Sequence, residues 1–115
     1  MSKPVGPYTP IVKAGSWLVS SGQVGIADGA IVEGGLGPQL RQALANLQAV
    51  FESEGSSLSA ITKTTVFLTD MDHYAEMNEI YTEVFGDHRP ARSAVAVHQL
   101  PLGALVEIEA SAYIG

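Results

Sequence analysis

Side chains able to do chemistry fall in a few short stretches of this chain. The first is Arg89-Pro90-Ala91-Arg92-Ser93-Ala94-Val95-Ala96-Val97. Its alternation predicts a strand with Ser93, Val95 and Val97 on one face and Arg92, Ala94 and Ala96 on the other. A guanidinium beside two alanines has open space around it, and its planar fork of donors matches a carboxylate or phosphate in two parallel hydrogen bonds. Arg92 therefore either builds an anion pocket or closes a structural ion pair, with Glu107 or Glu109 on the last strand as partners. Two glutamates on one strand face ordinarily mark solvent, but they are also the nearest candidates for a general acid or base.

Smaller signals accompany these. The stiff backbone of Gly6-Pro7-Tyr8 either presents the Tyr8 phenol to a fixed place or packs the terminal arm down. Ser21-Gly22-Gln23 closes a strand in small polar groups, where Gly22 allows close approach by a ligand or another chain or marks a bend. Asn78 falls in the middle of a helical stretch, where asparagine is a poor former, and either its side chain bonds a loop or ligand or the cost is tolerated. Asn46 reads as a surface amide. HExxH, GxSxG, GxGxxG and GxxxxGK[ST] are all absent, and His73, His88 and His98 lack metal-ligand spacing and read as loop or surface residues. With no cysteine there is no disulfide framework, thiolate metal site or cysteine nucleophile.

The elements that must position these residues follow from pattern. Residues 1–10 hold Pro4, Pro7 and Pro10 and cannot form regular helix. Residues 11–14 and 16–23 form a hairpin turning at Gly15, and Ala30-Ile31-Val32 is a third short strand in a glycine-rich stretch. From Pro38 the period changes: Leu40, Leu44, Leu47 and Phe51 line one face of a helix that ends by Gly55. Residues 61–68 form a strand whose Thr62, Thr64, Val66, Leu68 face is polar for a core. Asp70 to Asp72 caps a second helix running to about Phe85, supported by Tyr74, Met77, Tyr81 and Val84. A turn at Leu100-Pro101-Leu102-Gly103 leads into the last strand. The order ββ(β)αβαββ predicts one α+β domain over residues 1–115, with both helices on one face of a mostly antiparallel or mixed sheet. The other sheet face would be bare, and further subunits are expected to cover it.

Composition bounds the function. Hydrophobic residues make up 46% of the 115 and charged residues only 16%, so the surface is short of charge. Net charge is −6, and Lys3, Lys13, Arg41, Lys63, Arg89 and Arg92 form no run or stripe, which disfavours binding to a phosphate backbone. No run approaches the ~20 apolar residues of a membrane span, and the start lacks a signal-peptide pattern.

Taken together, Gly6-Pro7-Tyr8, Ser21-Gly22-Gln23, Lys63-Thr64-Thr65-Val66-Phe67-Leu68, Met77-Asn78-Glu79-Ile80-Tyr81, Pro90-Ala91-Arg92-Ser93 and Leu100-Pro101 through Val106-Glu107-Ile108-Glu109-Ala110 resemble the RidA (YjgF, reactive-intermediate imine deaminase) family. The resemblance covers nearly the whole chain, in order. It implies a chorismate-mutase-like fold, a homotrimer whose sheets form a central barrel with helices outside, and three clefts between neighbouring subunits. It implies that Arg92 holds a substrate carboxylate and that Tyr8, Ser21, Gly22, Asn78 and Glu107 complete the cleft. The implied activity is hydrolysis of 2-imino acids or their enamines, such as 2-aminoacrylate, to 2-oxo acids and ammonia in the cytoplasm, without metal or organic cofactor and without nucleic acid or membrane partners. A trimeric protein that only binds 2-oxo acids, and an RNA-cleaving translation inhibitor, are the rival readings. Two departures stand out: Ala94 occupies a position where many relatives carry cysteine, and Leu102 one where many carry lysine.

Overall fold

Apolar side chains recurring at helical spacing over two stretches and alternating along five others leave the chain one economical way to hide them, two helices laid across a sheet. A computed structural model shows this arrangement for residues 4–115; residues 1–3, the start of the arm expected to be extended, lie outside the described residues. The strands are β1 (Ile11–Ala14), β2 (Trp17–Ser20), β3 (Gln23–Val24), β4 (Ile26–Ala27), β5 (Ala30–Ile31), β6 (Ile61–Leu68), β7 (Ala91–Ala96) and β8 (Val106–Tyr113), with helices α1 (Leu36–Glu52) and α2 (Tyr74–Phe85). The main sheet runs β1-β2-β8-β6-β7, and β3 also pairs with β8. All pairs are antiparallel except β6 with β7, whose parallel pairing requires the crossover that α2 supplies. The sheet is therefore mixed and the class α+β, as expected.

The face of α1 set by Leu40, Leu44, Leu47 and Phe51 is fully enclosed. It packs with Met77, Ile80, Tyr81 and Phe85 of α2 over Val66, Leu68, Val106, Ile108, Ala110 and Ala112 of the sheet. Each large side chain hidden there contributes about 1.5 to 3 kcal/mol.

Five local expectations are corrected. The strand expected over 16–23 breaks after Ser20: pairing with β8 stops at Val19 with Ser111 and resumes as β3 at Gln23 with Ile108, one residue out of register. Ala30 and Ile31 do not stand alone: they pair with Ile26 and Ala27 in a separate two-stranded ribbon. In β6 the threonine-bearing face is the core face. A register shift between Ile61 and Lys63 turns Ile61 inward and Thr62 outward, and the buried Thr64 hydroxyl bonds Tyr81 Oη at 2.7 Å. Asn46 is an interior clasp, its Nδ2 donating to the carbonyls of Val24 and Ile26, both at 3.0 Å, and its Oδ1 accepting from Gln42 Nε2 at 2.9 Å. Asp70 does cap, but it caps the 3-10 turn Met71–His73 ahead of α2, accepting from the Asp72 amide at 2.8 Å.

The sheet face away from the helices is bare among the described residues. Val12, Trp17, Val19, Val95 and Tyr113 are exposed on it, and the Trp17 and Tyr113 rings meet edge to face at 5.3 Å. Among the described residues, no helix is long and apolar enough to cross a membrane.

Candidate functional site

The six residues singled out from sequence collect into two groups. Arg92, on β7, leaves the sheet on the helix side and lies against α2. Its Nη2 donates to Tyr74 Oη at 3.1 Å and its Nη1 to Met77 Sδ at 3.6 Å. Its guanidinium carbon is 4.9 Å from the centre of the Tyr81 ring and 5.6 Å from that of Tyr74, so two aromatic faces hold the cation. Neither Glu107 nor Glu109 pairs with it: among the described residues the ion pairs are Arg41 with Glu83 and His73 with Glu76. Arg92 is thus not spent on a carboxylate of its own chain. Asn78 belongs to the same group, one helical turn from Tyr74 and one from Tyr81. Its Oδ1 is enclosed without a hydrogen-bond partner among the described residues. A buried acceptor left unpaired costs free energy.

Tyr8, Ser21, Gly22 and Glu107 form the second group, on the other side of the sheet. They line one cleft of about 170 Å³, closed by the apolar side chains of Val5, Val24 and Pro101. Ser21 builds it. Its Oγ donates to the Thr9 carbonyl at 2.6 Å and its amide to the Pro10 carbonyl at 2.9 Å, which ties the proline-rich arm to the sheet. Tyr8 is held by the arm's own turn, its amide donating to the Gly6 carbonyl at 2.9 Å and its Oη accepting from the Val5 amide at 3.3 Å. Gly22 lies against the glutamate so closely that a Cβ there would stand 2.6 Å from Glu107 Cδ. Half-burial, and then the neighbouring Glu109 charge, push the Glu107 carboxyl above the usual carboxylate range. A carboxylate that is partly desolvated and free of any ion pair is suited to take up a proton. A larger cavity of about 490 Å³ adjoins it, sharing Val5, Tyr8, Gly22 and Val24 and reaching Gln42 and Asn46 on α1.

Sequence reading did not single out Tyr74, Met77 and Tyr81 as neighbours of Arg92. Their spacing was legible, but as the core face of a helix, and Tyr81 does serve both roles: burial raises its phenol, opposed by the Thr64 hydrogen bond and the nearby Arg92. Val5 and Val24 carried no signal, because an apolar lining residue looks like any other apolar residue, and Pro101 was legible only as part of a turn and of a family motif. Among the described residues no cluster of three acidic, histidine or cysteine side chains is arranged to hold a metal ion.

The chain matches the family model described as Endoribonuclease L-PSP over residues 1–114. It is 49% identical over 113 residues to a RutC family protein of Pyrococcus horikoshii, covering 96% of this chain and 90% of the relative. It is 41% identical over 113 residues to the 2-iminobutanoate/2-iminopropanoate deaminase of Mus musculus, covering 96% and 84%. Among solved structures it is similar to E. coli TdcF with bound serine, with a TM-score of 0.92 at 37% identity over 97% of this chain and 91% of that one. The chain belongs to the Endoribonuclease L-PSP family, the group whose members carry the RutC, RidA and YjgF names.

Proposed function

We propose that the protein hydrolyses 2-imino acids and their enamine tautomers, such as 2-aminoacrylate, to 2-oxo acids and ammonia, in clefts shared between the subunits of a homotrimer. The observation that carries this reading is the Glu107 carboxyl, raised in its affinity for a proton and pressed against Gly22 in a small cleft that also holds Tyr8 and Ser21. The mouse relative named for this activity supports it.

In this scheme a water attacks the imine carbon. The new C–O bond forms as the C=N π electrons move to nitrogen, and Glu107 accepts the water's proton and passes it to the nitrogen; the hydroxyl of the resulting carbinolamine then gives its proton through Glu107 to the amino nitrogen, and the C–N bond breaks as C=O forms, releasing ammonia and the 2-oxo acid. Arg92 of a neighbouring subunit holds the substrate carboxylate by two parallel N–H bonds and so fixes the imine carbon relative to the water. Tyr8, Ser21, the Gly22 backbone and Asn78 shape the pocket. Water and a base suffice, so the scheme calls for no metal or organic cofactor. Closure of three sheets into a central barrel would cover Val12, Trp17, Val19, Val95 and Tyr113, which are otherwise exposed. The working location we infer is the cytoplasm, and the partners are small 2-imino and 2-oxo acids rather than membranes or nucleic acid.

The test generates imines in place with an amino-acid oxidase and lets semicarbazide compete for them. The native chain should suppress semicarbazone formation and Arg92→Ala should not. If neither does so for any of several amino acids while the native protein still binds 2-oxo acids, the protein is a binding protein. Salt-sensitive cleavage of RNA would instead support the activity named in the family's description, against the expectation from a net charge of −6.

A further inference from the structure

We propose that the Tyr74 hydroxyl is a third hydrogen-bond donor to the carboxylate held at Arg92. This deepens the reading of Arg92 as the carboxylate anchor and rests on it.

The geometry around the guanidinium leads there. Two rings attend the cation: Tyr81 at 4.9 Å, fixed by its bond to the buried Thr64 and by tilted packing on Phe85 at 4.6 Å, and Tyr74 at 5.6 Å. Among the described residues the edge of the fork meets only weak or neutral acceptors, the Met77 thioether and the Tyr74 phenol. Neither competes with a carboxylate, whose charge roughly doubles the strength of each hydrogen bond it accepts. Tyr74 Oη uses one lone pair to accept from Arg92 Nη2. Its own proton is then turned away from the guanidinium, and it donates to no other group among the described residues. Tyr74 is also 41% exposed, so its hydroxyl is open to a ligand at Arg92.

A carboxylate offers about four lone-pair directions, and a bidentate arginine uses two. The Tyr74 O–H supplies a donor for a third, on the oxygen nearest Nη2. The phenol thus works in both senses at once, accepting from the cation and donating to the anion. A phenylalanine at this position would keep the ring over Arg92 and lose the hydroxyl, both this donor and the acceptor that Arg92 Nη2 meets.

The experiment uses pyruvate as the probe and the full chain throughout. Binding is titrated calorimetrically for the native protein, Arg92→Ala, Tyr74→Phe and Tyr74→Leu, and imine turnover is measured for the same set. Tyr74→Phe should weaken pyruvate binding and raise KM roughly tenfold, the worth of one hydrogen bond to a charged group, with kcat within a factor of about two. Tyr74→Leu should weaken binding further because the ring contact is lost as well. If Tyr74→Phe binds pyruvate within about twofold of native, or lowers kcat with binding unchanged, the hydroxyl is no donor to the carboxylate and the assignment is overturned. That failure is distinct from failure of the anchor itself, which would show as native-like pyruvate binding by Arg92→Ala or as no binding by the native chain, and would remove both readings.

Discussion

Arg92 and Glu107 stand on strands separated only by β6, yet their side chains leave the sheet on opposite faces. Arg92 pairs across with Thr64 and Glu107 with Phe67, three positions apart on the same strand. Successive strand residues alternate faces, so an odd offset places them back to back. One subunit's Arg92 and Glu107 therefore do not converge on the same small substrate, and the proposed cleft needs the arginine of one chain and the glutamate of another.

This arrangement predicts complementation. Arg92→Ala and Glu107→Gln should each be inactive alone. When they are unfolded together and refolded, every mixed ring of three regains one intact cleft, so random mixing should restore about a quarter of native activity. Activity that stays at the level of the separate variants would place both residues in one chain's site.

Gly22 and Gly25 should fail in different ways when changed to alanine. At Gly22 the new methyl meets the end of a flexible side chain, Glu107, which can swing aside. Stability should fall by no more than about 1 kcal/mol while imine turnover drops at least tenfold. At Gly25 the methyl would meet the backbone of Gln39 in α1, which cannot move alone. That variant should lose about 3 kcal/mol or fail to fold, read by urea denaturation.

Glu107 should give the protein a pH signature. Its carboxyl binds a proton more tightly in the folded chain than in the unfolded one. Between the unfolded and the folded value the native state holds the extra proton, so this group lowers stability as pH rises through that window and reaches its full cost above it. Glu107→Gln should thus raise Tm at about pH 8 and leave it unchanged near pH 3.5, where both states are protonated. If the glutamate is the base, turnover by the native chain should rise with pH through the same raised value.

The buried pair of Thr64 and Tyr81 should show strong coupling. Thr64→Val leaves the Tyr81 hydroxyl enclosed without its 2.7 Å partner and should cost about 1 to 3 kcal/mol. Adding Tyr81→Phe removes the orphaned group and should recover most of that loss in a double-mutant cycle. Additive losses would show that the hydroxyl finds water or another partner.

Several features were legible in the chain itself because they depend on local rules. The 3.6-residue spacing of Leu40, Leu44, Leu47 and Phe51 names a helix face without reference to anything else, and the alternation of 91–96 and 106–113 names two strands. Short motifs in fixed order pointed to the family, and with it to Arg92, Glu107, Tyr8, Ser21, Gly22 and Asn78. What no local rule contains is which partner a side chain meets across the fold. The polar face of 61–68 looked unsuited to a core until Tyr81, seventeen residues from Thr64, was seen to satisfy its hydroxyl. Asn46 looked like a surface amide until β3 and β4 brought two carbonyls to its Nδ2 from more than twenty positions away in one case and twenty in the other. The ion pair conceivable between Arg92 and Glu107 was set aside by strand register alone. Sequence determined the elements and the chemical candidates, because periodicity and residue type are properties of short segments. Tertiary structure decided which candidates meet, because pairing register and face are fixed only when distant segments pack.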